Sequence, residues 1–262
     1  MCRWVAYQGQ PVYLEDMVTK PSHSLIHQSL QATEAKTGTN GDGFGIGWYG
    51  DKPTPGAYRE LRPAWSDENL LAICEQVRSG HFFAHVRAST GTATSRANCH
   101  PFIHGQHMFM HNGQVGCYSE LRRRIENLIP DQIYANRNGT TDSEAIFLIA
   151  MARGGDSDPV GAMHATLTEI KAMMRDCAIC EPLRFTAALT DGRNLYAFRW
   201  ACDDKAPTLY WKKEEAGLLV VSEPLDDSRD HWTLVPQGHV LVAREGKAVD
   251  IRPFNITMQK AA

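Results

Sequence analysis

The order in which extended and helical segments follow one another limits the fold of this chain more than any other feature. Cys2–Tyr7 reads as a strand from the very start, Ser24–Lys36 places Leu25, Ile26 and Leu30 at helical spacing, and Gly43–Gly50 is a glycine-rich strand. Tyr58–Trp65 looks extended, and Ser66–Arg78 reads as a helix with Ser66 as N-cap and Glu68 in its first turn. His81–Ser89 and Gln106–His111 read as strands joined by a loop rich in Ser, Thr, Gly and Ala. A helical block follows at Tyr118–Leu128, Asp142–Arg153 and Pro159–Arg175. Short strands then return at Phe185–Thr190, Asn194–Trp200, Thr208–Trp211, Gly217–Ser222 and His239–Arg244, with Asp191-Gly192 as a hairpin turn between the first two. Strand clusters on either side of helices imply an α+β class with antiparallel sheets, not alternating βαβ units.

Composition bounds the function. The 262 residues are 43% hydrophobic and 22% charged, enough for a real core. A net charge of −3 gives no basis for binding nucleic acid or an anionic membrane. No run approaches the roughly 20 apolar residues of a membrane helix, and no basic-then-apolar secretory signal opens the chain. The seven cysteines have no framework spacing, which suits free thiols in a reducing, cytoplasmic setting. Without a linker long enough to separate domains, residues 1–262 are expected to form one unit.

Four motifs can carry chemistry. Cys2 follows an initiator methionine that is normally trimmed before small residues. After trimming it would hold a thiol nucleophile and a free α-amine, whose ordinary pKa of about 7.7–8.0 makes it a usable base. By itself, Cys2 reads first as a cysteine that merely begins a strand. His85-Val-Arg87-Ala-Ser89-Thr90-Gly91 puts an arginine and hydroxyls where a strand gives way to a loop. Arginine there can grip a carboxylate bidentately, or simply lie on the surface. The loop after it, Ala88–Asn98, could close over a substrate or be a plain connection. His111-Asn112-Gly113 is in isolation a hairpin-turn signal, although an Asn amide and a Gly N–H can also form an oxyanion hole. Thr141 and Glu144 make a capping box ahead of an apolar helix, and Asp142 between them could bind an ammonium group.

Other features carry less. Cys177-Ala-Ile-Cys180 has metal or redox spacing but no second Cys/His pair beside it, so two packed cysteines are expected. His100, His104, His107 and His111 straddle a loop and a strand without sharing a face, and no metal or cofactor is expected. The run Asn40–Gly47 lacks the order of a phosphate-binding loop; its glycines fit close backbone approach.

Taken in order, Met1-Cys2, Asp42-Gly-Phe-Gly, His85-x-Arg87, Asn98-x-His100-Pro101, His111-Asn112-Gly113 and Thr141-Asp142-x-Glu144 resemble the class II glutamine amidotransferases, which are N-terminal-nucleophile hydrolases. The resemblance implies a four-layer αββα sandwich of two antiparallel sheets. It implies that Cys2 attacks a γ-glutamyl amide to give a thioester, with its own α-amine moving the proton. Asn112 and Gly113 would form the oxyanion hole, Arg87 assisted by Thr90 would hold the α-carboxylate, and Asp142 the α-ammonium. The run after Arg87 departs from the sugar-phosphate amidotransferases, which carry an aromatic residue and then Thr-His. No synthase-sized segment follows the glutaminase-sized unit either, so a stand-alone γ-glutamyl amidohydrolase is expected. Two alternatives remain open: a glutaminase subunit serving a separate synthase chain, and a non-catalytic module that binds γ-glutamyl ligands.

Overall fold

The computed structural model describes residues 2–34, 38–89 and 93–256. In chain order the first strands are β1 (Arg3–Tyr13), β2 (Phe44–Trp48), β3 (Gly56–Glu60), β4 (Arg78–Val86), β5 (Phe102–His104) and β6 (His107–Gln114). The later ones are β7 (Arg184–Thr190), β8 (Leu195–Ala201), β9 (Tyr210–Lys213), β10 (Gly217–Val221), β11 (Thr233–Leu234), β12 (His239–Ala243) and β13 (Asp250–Pro253). The helices are α1 (Glu15–Val18), α2 (Leu25–Leu30), α3 (Glu68–Gln76), α4 (Tyr118–Glu126), α5 (Asp131–Tyr134), α6 (Asp142–Ala152) and α7 (Pro159–Asp176).

Two sheets result, in the orders β11-β9-β10-β1-β4-β2-β3 and β13-β12-β8-β7-β6-β5. The ladders at the centre of each are antiparallel, β1 with β4 and β10, and β7 with β6 and β8. Strand alternation divides the interior into three apolar layers. Val5 and Tyr7 of β1, with Phe82 and Ala84 of β4, pack beside Val18, Leu25 and Leu70 of the helices α1 to α3. Their neighbours Trp4, Ala6 and Phe83 point the other way, against Met108, Met110, Ala188 and Leu241 of the second sheet. On its outer face the second sheet presents Phe109, Phe185 and Phe198 to α4, α6 and α7. Helix α6 is buried from Ser143 to Met151 because it lies between this sheet and α7. Helices, two antiparallel sheets and helices again form the expected αββα sandwich.

Several boundaries differ from the sequence pattern, each for a local reason. The helix expected over Ser24–Lys36 ends at Leu30, and Gln31 is already extended. The carboxylate of Glu223 takes the backbone N–H groups of Thr33 (2.9 Å) and Glu34 (3.1 Å), which a continuing helix would need. Residues 35–37 lie outside the described residues. Helix α3 is capped not by Ser66 but by Asp67, which accepts from Leu70 N at 2.8 Å. Ser66 sits in a short 3-10 turn and donates back to Pro63 O. The capping box at α6 is half formed. Thr141 Oγ1 accepts from Glu144 N at 3.2 Å, but the Glu144 carboxylate turns to Arg137 and to the N–H groups of Asn138 and Gly139. Asn112-Gly113 makes no hairpin turn: β6 runs through it to Gln114, paired with β7. Of the expected pair of packed cysteines, only Cys177 packs against the core. Cys177 ends α7 beside Arg124, Cys180 is exposed, and all seven cysteines are free.

Candidate active site

Three strand ends converge at one edge of the space between the sheets. Counting back along β1 from Ala6 and Trp4 puts Cys2 on the inter-sheet side. Continuing β4 from Phe83 and His85 puts Arg87 there, and continuing β6 from Met108 and Met110 does the same for Asn112. Contacts agree with this count. Asn112 Nδ2 donates to the Cys2 carbonyl at 3.0 Å, joining the two sheets. The half-buried Cys2 Sγ lies 3.5 Å from Ala88 N and 3.6 Å from Ala88 O, one residue beyond Arg87. Burial pushes the Cys2 thiol up, while the Ala88 N–H and the charges of Arg87 and Arg3 pull the other way.

The arginine loop is held by Asp42, a residue named in the sequence only as part of a motif, with no role of its own. Asp42 N donates to Arg87 O (3.0 Å), Arg87 N donates to Gly43 O (2.8 Å), and Arg87 Nη1 reaches Asp42 O (3.2 Å). The Asp42 carboxylate takes the Ser89 N–H at 2.7 Å, and Arg87 Nη2 also meets Ser89 Oγ and Ala93 O. The signal was the Asp42-Gly-Phe-Gly motif, whose partner could not be read from one dimension. Thr90, the expected helper of Arg87, lies outside the described residues, as do residues 91 and 92 of the loop that follows.

The other half of the site is built on β6 and α6. Gly113 leaves no room for a side chain: a Cβ there would lie 2.0 Å from Arg184 O and 2.5 Å from His111 Nε2. His111, on the helix-facing side, shares a 2.8 Å hydrogen bond with Ser143 Oγ. Asp142 opens α6, and its carboxylate accepts from Val115 N and Ser143 N, both at 2.8 Å. Asp142 is therefore tied to the chain two residues beyond Gly113, although it does not touch Cys2 directly. Loop and strand are sealed by His100, whose ring packs tilted against His85 with centroids 4.1 Å apart, and by Asn98, which clasps Thr140. Burial, with Arg87 close by, lowers His85 to about 3, and burial holds His100 well below its ordinary range. Both rings are neutral at pH 7. Close approach of Gly45 and Gly47 lets His100, Pro101 and Met108 lie against β2, as the glycine-rich run predicted.

Chemically, the assembly offers a thiol, amide N–H donors from Asn112, a cation at Arg87 and an anion at Asp142. The Asn112 amide nitrogen carries two hydrogens, and one is committed to the Cys2 carbonyl. Among the described residues no group of three or more His, Cys, Asp or Glu could hold a metal ion. A surface cavity of about 600 Å³ lined by Tyr49, Lys52, Asp191 and Arg193 opens at the opposite end of β2 and contains none of these residues.

The family pattern described as "Glutamine amidotransferases class-II" matches residues 14–210. A probable glutamine amidotransferase of Saccharomyces cerevisiae is 30% identical, over 94% of this chain and 82% of its own. The γ-glutamyl-hercynylcysteine sulfoxide hydrolase of Mycolicibacterium smegmatis is 28% identical, over 95% of this chain and 98% of its own. Among solved structures, a glutamine aminotransferase class-II domain protein from Silicibacter pomeroyi matches with a TM-score of 0.77 and 35% identity, over 97% of this chain and all of its own. The glutamine phosphoribosylpyrophosphate amidotransferase of B. subtilis shares the fold at 13% identity and a TM-score of 0.64, this chain spanning 50% of it.

Proposed function

Because the chain belongs to the class II glutamine amidotransferase family, we propose that it is an amidohydrolase whose nucleophile is Cys2, freed as the N-terminal residue by removal of Met1, and whose substrate is a γ-glutamyl amide. The α-amine of Cys2 takes the thiol proton, and the sulfur attacks the amide carbonyl carbon. Asn112 Nδ2 and Gly113 N–H stabilise the tetrahedral oxyanion. The α-ammonium returns the proton to the departing amine as the C–N bond breaks, leaving a γ-glutamyl thioester. Water, deprotonated by the same amine, adds to the thioester and releases glutamate and the free thiol. Arg87 holds the substrate α-carboxylate with help from Thr90, and Asp142 its α-ammonium. With Met1 removed, residues 2–262 act together as one glutaminase unit.

The observation that carries this reading is the 3.0 Å hydrogen bond from Asn112 to the Cys2 carbonyl. It supports the reading because it joins Cys2 to Asn112 of the other sheet, the two residues to which these roles are assigned. Similarity over nearly full length to a γ-glutamyl hydrolase supports water as the acceptor and a conjugate as the substrate. The test is a turnover screen of glutamine against γ-glutamyl peptides and thioconjugates, on protein whose Cys2 N-terminus is confirmed by intact mass. Cys2→Ala should lose all turnover while keeping its fold. Substantial hydrolysis by that variant would sink the nucleophile assignment.

A further inference from the structure

Arg3, directly after the nucleophile, is fully buried. Its Nε lies 2.7 Å from Glu223 Oε2, and neither side chain exposes any surface. Arg3 Nη1 turns back to donate to the Cys2 carbonyl at 3.0 Å, the oxygen that also receives Asn112. Glu223 follows the end of β10 and takes four further partners. These are the N–H groups of Thr33 and Glu34, the Thr33 hydroxyl, and His23 Nε2 at 2.7 Å. Burial would raise the Glu223 carboxyl, but the bonds from Thr33 and His23 and the Arg3 charge hold it at about 2. It is an anion throughout the working range of pH.

Stability alone is a poor reason for such a pair, since well-packed apolar side chains would serve the interior at least as well. Its place suggests another reason. Once Met1 is gone, no preceding peptide bond fixes Cys2, and chain termini fray unless tied down. What grips Cys2 is then the carbonyl contact from Asn112, the contact from Arg3 and the packing of Sγ on Ala88. Glu223 also anchors Thr33 and Glu34 through their backbone N–H groups.

We propose that Arg3 and Glu223 are positioning residues, whose buried ion pair holds the Cys2 carbonyl against Asn112 and so keeps nucleophile and oxyanion donor aligned in the processed enzyme. This rests on Cys2 being the nucleophile. Glu223→Gln keeps the size but removes the charge that fixes Arg3. It should lower kcat for glutamine about tenfold or more, with KM changed less than about threefold. Alkylation of Cys2 by iodoacetamide should slow by a comparable factor, and Glu223→Asp should recover part of both. The double variant Arg3→Met/Glu223→Leu removes both buried charges and should fold, so it separates alignment from folding; it is expected to be as slow as Glu223→Gln. Full kcat and normal alkylation in that folded double variant would overturn the proposal. Cys2→Ala, run in parallel, distinguishes the failures. If it still turns over, the nucleophile reading falls and the positioning role with it. If it is dead while the ion-pair variants are unimpaired, only the positioning role falls.

Discussion

Arg87 touches Asp42 O, Ser89 Oγ and Ala93 O, so its guanidinium is aimed by the loop it sits in. Arg87→Ala should weaken binding of a γ-glutamyl substrate by about 1.5–3 kcal/mol, the usual worth of a charged hydrogen-bonded pair. Because the substitution also loosens the loop, the informative control is a substrate lacking the α-carboxylate, 4-aminobutyramide. If glutamine and 4-aminobutyramide suffered equally, Arg87 would be a loop anchor and no carboxylate clamp. Much of the site was legible at this scale. Cys2, Arg87 and Asn112 are named by motifs, and strand alternation turns all three toward the space between the sheets, two from one sheet and Asn112 from the other. What the sequence did not reveal is the grip on them. Asp42 meets Ser89 forty-seven positions away, and Glu223 meets Arg3 across the whole chain, where a lone acid has no local pattern.

At the level of elements, legibility failed wherever a side chain from elsewhere claimed backbone groups that periodicity assigns locally. Helix α2 stops where Glu223 takes the next N–H groups, and the Glu144 carboxylate leaves its capping box for Arg137. The strands of the two central ladders were legible because burial on one or both faces imposes a pattern that distance cannot erase. The cap of α3 gives a direct check. Asp67→Ala should cost about 1 kcal/mol in urea unfolding, whereas Ser66→Ala should stay within about 0.5 kcal/mol. Equal effects would mean the helix starts where the simple pattern places it. Gly45 tests the close approach of β2 to the His100 loop. A Cβ there would lie 2.1 Å from His100 O, backbone that a side chain cannot push aside cheaply. Gly45→Ala should therefore destabilise by about 1–3 kcal/mol and, by shifting the segment that packs on His85, reduce turnover as well. Unchanged stability would show that the loop has room to yield.

Across the whole molecule, the space between the sheets carries polar groups that an apolar core would not. His81, His85 and His100 are buried there, His111 is buried on the helix-facing side of the second sheet, and burial lowers all four, His81 to about 4 and His85 to about 3. In the unfolded chain each returns to its ordinary value of about 6.5. The unfolded state thus takes up protons first as the medium is acidified. Stability is at its plateau above about pH 6.5 and falls below it, each histidine adding a slope of up to about 1.4 kcal/mol per pH unit until its folded value is reached. His81 and His85 alone should remove roughly 2 kcal/mol between pH 6 and 5, a sizeable share of the roughly 5–15 kcal/mol that holds a typical domain together. Glu223 adds to the loss only below about pH 4.3, the ordinary glutamate value, because its folded carboxyl stays ionised down to about 2. Urea unfolding at half-unit steps from pH 7.5 to 4.5 reads this out. A flat region should give way to a steep fall beginning near 6.5, and His81→Gln, whose amide can still meet Thr190 Oγ1, should make that fall shallower by about 1.4 kcal/mol per unit. A stability that holds level down to pH 5 would mean that these rings find proton-accepting partners in the fold, and that the interior between the sheets is wetter than its packing indicates.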